Sequence, residues 1–153
     1  RIEEKKEVVN MDVIGGEIKT LVAFTPRALS GEVAHNGDVI DRIGYQSAVF
    51  TVVAGKYTST PTAIDVACKV QDCATSDGSF ADASDVNAVA FACRVSGEVT
   101  TVADQDQEIN VDLRALARYI RLVVTPDFTS GSSPTLFFGA TVALGEPSIK
   151  PAT

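Results

Sequence analysis

The sequence has no tryptophan, one histidine, one methionine and three cysteines among its 153 residues. A single histidine leaves nucleophile-imidazole catalysis one candidate, His35, which stands in the turn-like string Ala34-His35-Asn36-Gly37 with no G-x-S-x-G elbow beside it. Cys68, Cys73 and Cys93 are odd in number and lack C-x-x-C spacing, so neither a disulfide framework nor a zinc site is indicated, and buried reduced thiols are expected. Cys68 and Cys73 lie five residues apart along one expected strand, too far to bridge without a sharp turn. Long apolar runs are missing as well. Leu122 to Val124 and Leu136 to Phe138 are short beside the roughly 20 residues of a membrane-spanning helix. The opening Arg-Ile-Glu-Glu-Lys-Lys-Glu mixes both signs of charge with no apolar h-region behind it, so no secretory leader is expected. Because Arg is not a translation start, residues upstream are expected to be missing, cleaved or unnumbered. Positive charge is in deficit: 13 Lys and Arg against 20 Asp and Glu give a net charge of -7 and a pI near 4.6, which disfavours a nucleic-acid partner. Asp72 to Asp112 alone carries nine acids against Arg94, and a solvated, repulsive outer face is the expected consequence.

What is present describes one ordinary domain. With 45% hydrophobic and 22% charged residues, the chain buries roughly 70% of its extended surface in a single core and folds without staples. Period-two alternation marks the strands. Ile64, Val66, Cys68 and Val70 share one face; so do Ile109, Val111 and Leu113; Ile120, Leu122 and Val124; and Leu136, Phe138, Ala140, Val142 and Leu144. The last two of these strands are apolar on much of both faces, which predicts a central position or a subunit contact. Tyr45 to Ala54 reads as another strand, with Ala48, Phe50, Val52 and Ala54 inward, and Leu21 to Phe24 as a shorter one stopped by Pro26. Val86 to Val95 fits a helical face or a strand, and strand is preferred; Arg114 to Ala117 suits one helical turn. Clusters rich in Gly, Pro, Ser, Asn and Asp separate these runs, at 35–38, 59–61, 75–79 and 129–134. Seven or so short strands with such turns predict an all-β, antiparallel two-sheet β-sandwich.

Binding constellations are sparse. The segment Asp77 to Asp85 offers oxygen ligands at close spacing but not the EF-hand order, so an acidic loop without metal is expected. Gly15-Gly16 and Ser130-Gly131-Ser132-Ser133 lack the lysine and following helix of a phosphate loop. Sugar stacking without tryptophan falls to Tyr45, Tyr57 or Tyr119, and each is better read as a packing residue. Arg114, Arg118 and Arg121 form a basic cluster that could pair with the acidic stretch of the same or a neighbouring subunit. No catalytic set, metal or cofactor is expected, and the chain is not read as an enzyme.

Residues 1–20 are expected to form an extended N-terminal arm, and 21–153 a single sandwich domain. The arm carries dense mixed charge, then Val8-Val9, Met11 and Val13-Ile14, without clear alternation. The order Leu29-Ser30, Asn36-Gly37, Ile40-Asp41, Gly44 to Phe50, Val70-Gln71-Asp72 and Ser76 to Ala83, followed by Arg118 to Leu122 and Phe138 to Pro147, resembles small structural proteins of tailed-bacteriophage virions.

That resemblance implies a jelly-roll-like sandwich that decorates or cements a capsid, commonly as a homotrimer, with the major capsid protein as partner and the virion, assembled in host cytoplasm, as location. It implies no chemistry, no nucleic acid and no membrane. The expected capsid or subunit interface comprises Ile2, Val8, Val9, Met11 and Ile14 of the arm, with Arg118, Arg121 and Phe128 of the domain. Two alternatives stand beside it: a carbohydrate- or receptor-binding module on a virion or cell surface, and a head or tail completion component.

Overall fold

Alternating apolar residues have one stable use, which is to cover one another across two facing sheets, and the chain adopts that arrangement. The computed structural model describes residues 16–84, 86, 89–96, 99–103 and 106–148. The strands are β1 (Lys19–Ser30), β2 (His35–Asn36), β3 (Ile40–Asp41), β4 (Tyr45–Thr58), β5 (Ala63–Cys73), β6 (Ala81–Asp82), β7 (Val89–Ser96), β8 (Val99–Ala103), β9 (Asp106–Asp112), β10 (Tyr119–Thr129) and β11 (Thr135–Pro147). A 3-10 turn, Leu113–Ala115, follows β9.

All pairings are antiparallel. One sheet runs β1-β11-β4-β9. The other has β10 at its centre, flanked by β2 and β3 on one side and β5 on the other, with β7 and the short β6 pairing β5. β8 pairs with both β4 and β7 and links the sheets along one side. With β2 and β3 taken as one interrupted strand, successive long strands alternate between the sheets except at β5 and β7, which pair in one of them, and this is the order of a jelly roll, a fold shared by viral capsid and lectin domains. The chain is thus an all-β, two-sheet sandwich.

The expected inward residues are the ones buried. Phe50, Val52, Ile64, Val66, Leu113, Ile120, Leu122, Val124, Leu136, Phe138, Val142 and Leu144 all form part of one core. Phe24 and Phe138 meet edge to face in it, with centroids 5.3 Å apart. Val123, placed by alternation on the outer face between Lys69 and Asn36, is also buried.

Some expectations require correction. The first strand does not stop at Pro26: β1 continues to Ser30, because it is an edge strand and its register shifts on both sides of Phe24 accommodate a residue without an N–H. It also begins at Lys19, inside the span expected for the arm. Strands number more than seven, the additions being the two-residue β2, β3 and β6 and the linking β8. His35 is not in a turn but in β2, opposite Val124. Residues 1–15 lie outside the described residues.

One glycine closes the sandwich. The backbone after β2 crosses between the sheets: the Gly37 N–H donates to Leu122 O at 2.7 Å and the Asp38 N–H to Ala23 O at 2.9 Å. A Cβ at position 37 would stand 2.4 Å from Ala23 O and 2.9 Å from Leu122 O, both fixed backbone atoms. Asp38 continues the seam by accepting from the Thr25 N–H and hydroxyl.

Candidate functional site

The two expected interface arginines are engaged within the chain. Arg118 donates through Nε and an Nη to both carboxylate oxygens of Asp41, at 3.0 and 2.6 Å, tying the lead-in to β10 to β3. That bond is the main reason the Asp41 carboxyl lies below its ordinary pKa. Arg121 donates twice to Gln71 Oε1 and lies 4.3 Å over the Phe80 ring, so it secures the 74–80 loop against the sheet. Gln71 also donates to Asp82, whose other close partner is Lys69 at 2.8 Å. The expected acidic loop is therefore held partly by Asp82. Among the described residues no group of three or more His, Cys, Asp or Glu side chains gathers in metal-binding geometry.

Phe128, the remaining expected interface residue of the domain, faces inward. It is 7% exposed and part of the core, since on β10 it follows the inward set of Ile120, Leu122 and Val124 rather than lying in a loop. Ile2, Val8, Val9, Met11 and Ile14 lie outside the described residues. The third arginine, Arg114, pairs with Asp112 through several contacts down to 2.6 Å, and Asp112 also accepts the Arg114 backbone N–H; together they lower the Asp112 carboxyl to about 2. Of the basic cluster only Arg114 meets the acidic stretch 72–112; Arg118 pairs with Asp41 and Arg121 with the neutral Gln71.

The stacking candidates for a sugar are largely spent on the fold. Tyr45 and Tyr57 are 7% and 3% exposed, and Tyr119 lies under the Arg118 guanidinium at 5.1 Å. His35 Nε2 is 3.2 Å from Ser30 O, an anchor for the loop between β1 and β2.

A feature that residue-by-residue reading did not place is the outer face of the β1-β11-β4-β9 sheet. Its outward residues are Val22 on β1; Phe137, Gly139 and Thr141 on β11; and Thr51, Val53 and Gly55 on β4. Val22 and Val53 are each 52% exposed and Phe137 48%. With Pro26 they line an apolar trough of about 290 Å³ whose floor, at Gly139, has no side chain. Pro26 leans over that floor, and a Cβ on Gly139 would come within 3.1 Å of it. The signal in the sequence was the unbroken Leu136-Phe137-Phe138, which puts one aromatic on each face of a single strand. By contrast, the outer face of the opposite sheet carries Asp65, Lys69, Gln71, Arg121 and Asp127.

No protein-family model and no curated protein matches the chain. Among solved structures it is similar to the VP2 subviral particle of infectious bursal disease virus, at 14% identity and a TM-score of 0.49, over 86% of this chain and 32% of that one. It is similar also to the Gx strain of the same virus, at 10% identity and a TM-score of 0.46, over 88% of this chain and 35% of that one. A likeness to desmodium yellow mottle tymovirus has 14% identity and a TM-score of 0.34, over 100% and 94% of the two chains. The chain spans about a third of the length of the bursal disease virus chains it matches.

Proposed function

We propose that this chain is a virion structural protein that binds the outer surface of a tailed-phage capsid and clamps neighbouring capsomers, acting without catalysis. The observation that carries this reading is a jelly roll with an exposed apolar outer face on one of its sheets. Jelly rolls serve as capsid and lectin scaffolds alike. The lectin alternative loses support from the burial of Tyr45 and Tyr57, whereas an apolar face rimmed by polar strands suits protein contact. In this reading the major capsid protein is the partner, the chain acts as a homotrimer on the virion, and Ile2, Val8, Val9, Met11 and Ile14 of the arm preceding β1 anchor it to a neighbour. Assembly takes place in the host cytoplasm.

The test is the mass of the intact chain in solution and its co-sedimentation with purified capsids. A trimer that pellets at hundreds of copies per particle is expected. A chain that leaves capsids bare, or that is found at only a few copies per virion, overturns the cement role; binding on a glycan array would then favour the receptor-binding module.

A further inference from the structure

We propose that the apolar trough on the β1-β11-β4 face receives residues 8–14 from the arm of a second copy of this chain. The inference rests on the oligomeric virion protein proposed above and identifies the surface through which copies join.

The trough has the shape of a receptor for one extended segment. Its walls, Val22 and Pro26 on β1 and Val53 on β4, stand on the two strands flanking β11, hence two strand spacings or about 9.6 Å apart. A flat face-to-face dimer of ordinary stability needs about 800 Å² from each partner. Three exposed large side chains around a 290 Å³ trough fall short of a continuous apolar surface on that scale, but they are matched to a few aliphatic side chains in single file.

The chain itself contains a segment of that kind. Although the arm as a whole does not alternate, Val9, Met11 and Val13 stand two apart with Asn10 and Asp12 between them. In extended backbone these three apolar side chains would face one way, with Asn10 and Asp12 on the other face between Val8 and Ile14. Residues 8–14 precede Gly16 by two to eight positions, so in extended backbone they lie within about 28 Å of it. The arm enters the fold at the Lys19 end of edge strand β1, whereas Phe137 closes the trough toward the opposite end of the sandwich. A reach of that length suffices for the trough of a second copy packed against the Lys19 end of β1. Arm and trough are different surfaces, so copies can join head to tail as well as by reciprocal exchange, and head-to-tail contacts whose rotation closes form rings, a trimer among them.

The experiment uses intact chains in solution without capsids, followed by light scattering. The wild-type chain is expected at a multiple of its 16.1 kDa mass. Phe137→Asp, and independently Val53→Asp, should reduce the mass to that of one chain with an unchanged β-sheet circular dichroism spectrum, since both side chains are half exposed. Val9→Asp, Met11→Asp and Val13→Asp combined should do the same. A mixture of the Phe137→Asp chain, which keeps its arm, with the arm variant, which keeps its trough, should recover a species of twice the single-chain mass. A wild-type chain of single-chain mass, trough variants that retain the wild-type mass, or a mixture that stays dissociated would overturn the proposal. Association through the trough by a chain that ignores capsids would sink the capsid-binding role and leave this inference standing.

Discussion

The two ends of the sandwich are fastened by different chemistry. At the end where β4 meets β5 and β10 meets β11, the loops carry hydroxyls and no ion pair among the described residues. The Thr62 N–H donates to Thr129 O at 2.8 Å, Ser130 Oγ to Thr62 Oγ1 at 3.1 Å, and Thr58 Oγ1 meets Thr135 Oγ1 at 2.7 Å. Ser59, Thr60, Ser130 and Gly131 all take positive φ there. At the opposite end, where β3 gives way to β4 and β9 leads into β10, charges do the fastening. Arg42 donates to the Leu116 and Ala117 carbonyls, Asp72 accepts the Ala117 N–H at 2.8 Å, and Asp41–Arg118 and Asp112–Arg114 flank them. The uncharged end is held by backbone shape, which neither salt nor pH addresses. The charged end is held by groups that both do address.

That contrast can be broken at several points. The largest effect is expected from Gly131→Ala at the uncharged end, where φ is +94° and a Cβ would meet Ser59 O at 2.7 Å. A loss of about 2–3 kcal/mol is expected from the left-handed backbone and the displaced carbonyl, read as a lower urea midpoint. Arg42→Ala at the charged end comes next, at about 2 kcal/mol, because it strips donors from two carbonyls of one half-buried turn. Its loss should shrink in high salt as the wild type weakens, whereas that of Gly131→Ala should not. Equal salt dependence of the two would erase the distinction. Thr62→Ala removes the hydroxyl that both donates to Thr129 O and accepts from Ser130, for about 0.5–1 kcal/mol in the same urea titration.

The smallest effect is the acid response of Asp112. Its carboxyl is held at about 2 instead of 3.8, chiefly by the Arg114 side chain and then by the Arg114 backbone N–H. A depressed acid favours the fold above its unfolded pKa, so this contribution is whole above about pH 4 and fades as pH falls toward 2. Asp41, also lowered, adds in the same direction. Melting temperature followed from pH 5 to 2 should fall less steeply in Asp112→Asn than in wild type, and Thr62→Ala should parallel wild type. Parallel curves for Asp112→Asn would remove Asp112 from the acid response.

The same division separates what was legible in the sequence from what was not. Strand existence and inward faces were legible because alternation is local: Ile64, Val66, Cys68 and Val70 need no knowledge of their partners to be read as one face. Pro26 misled because proline is excluded only where its missing N–H would face a paired neighbour, and nothing local marks β1 as an edge. Phe128 misled for a related reason, since a turn cluster follows it directly and the end of β10 is set by pairing with β5 as far as Thr129 and Ala63. Arg118 and Arg121 were expected at an interface or against the acidic stretch 72–112, yet Asp41 and Gln71 lie 77 and 50 residues away in the chain and meet them only through the sheet.

By itself, then, the sequence determined an all-β, two-layer chain with an acidic surface and a set of inward residues, because side-chain period and composition act over a few residues. The tertiary structure decided which strands neighbour which, and hence that β11 lies between β1 and β4 with Phe137 outward beside Val22 and Val53. The apolar trough is a property of three strands brought together from residues 22–26, 51–55 and 137–141. Periodicity within any one of them says which side chains share a face. It does not say that the three faces form one surface, because strand order is fixed by long-range pairing and not by the local pattern.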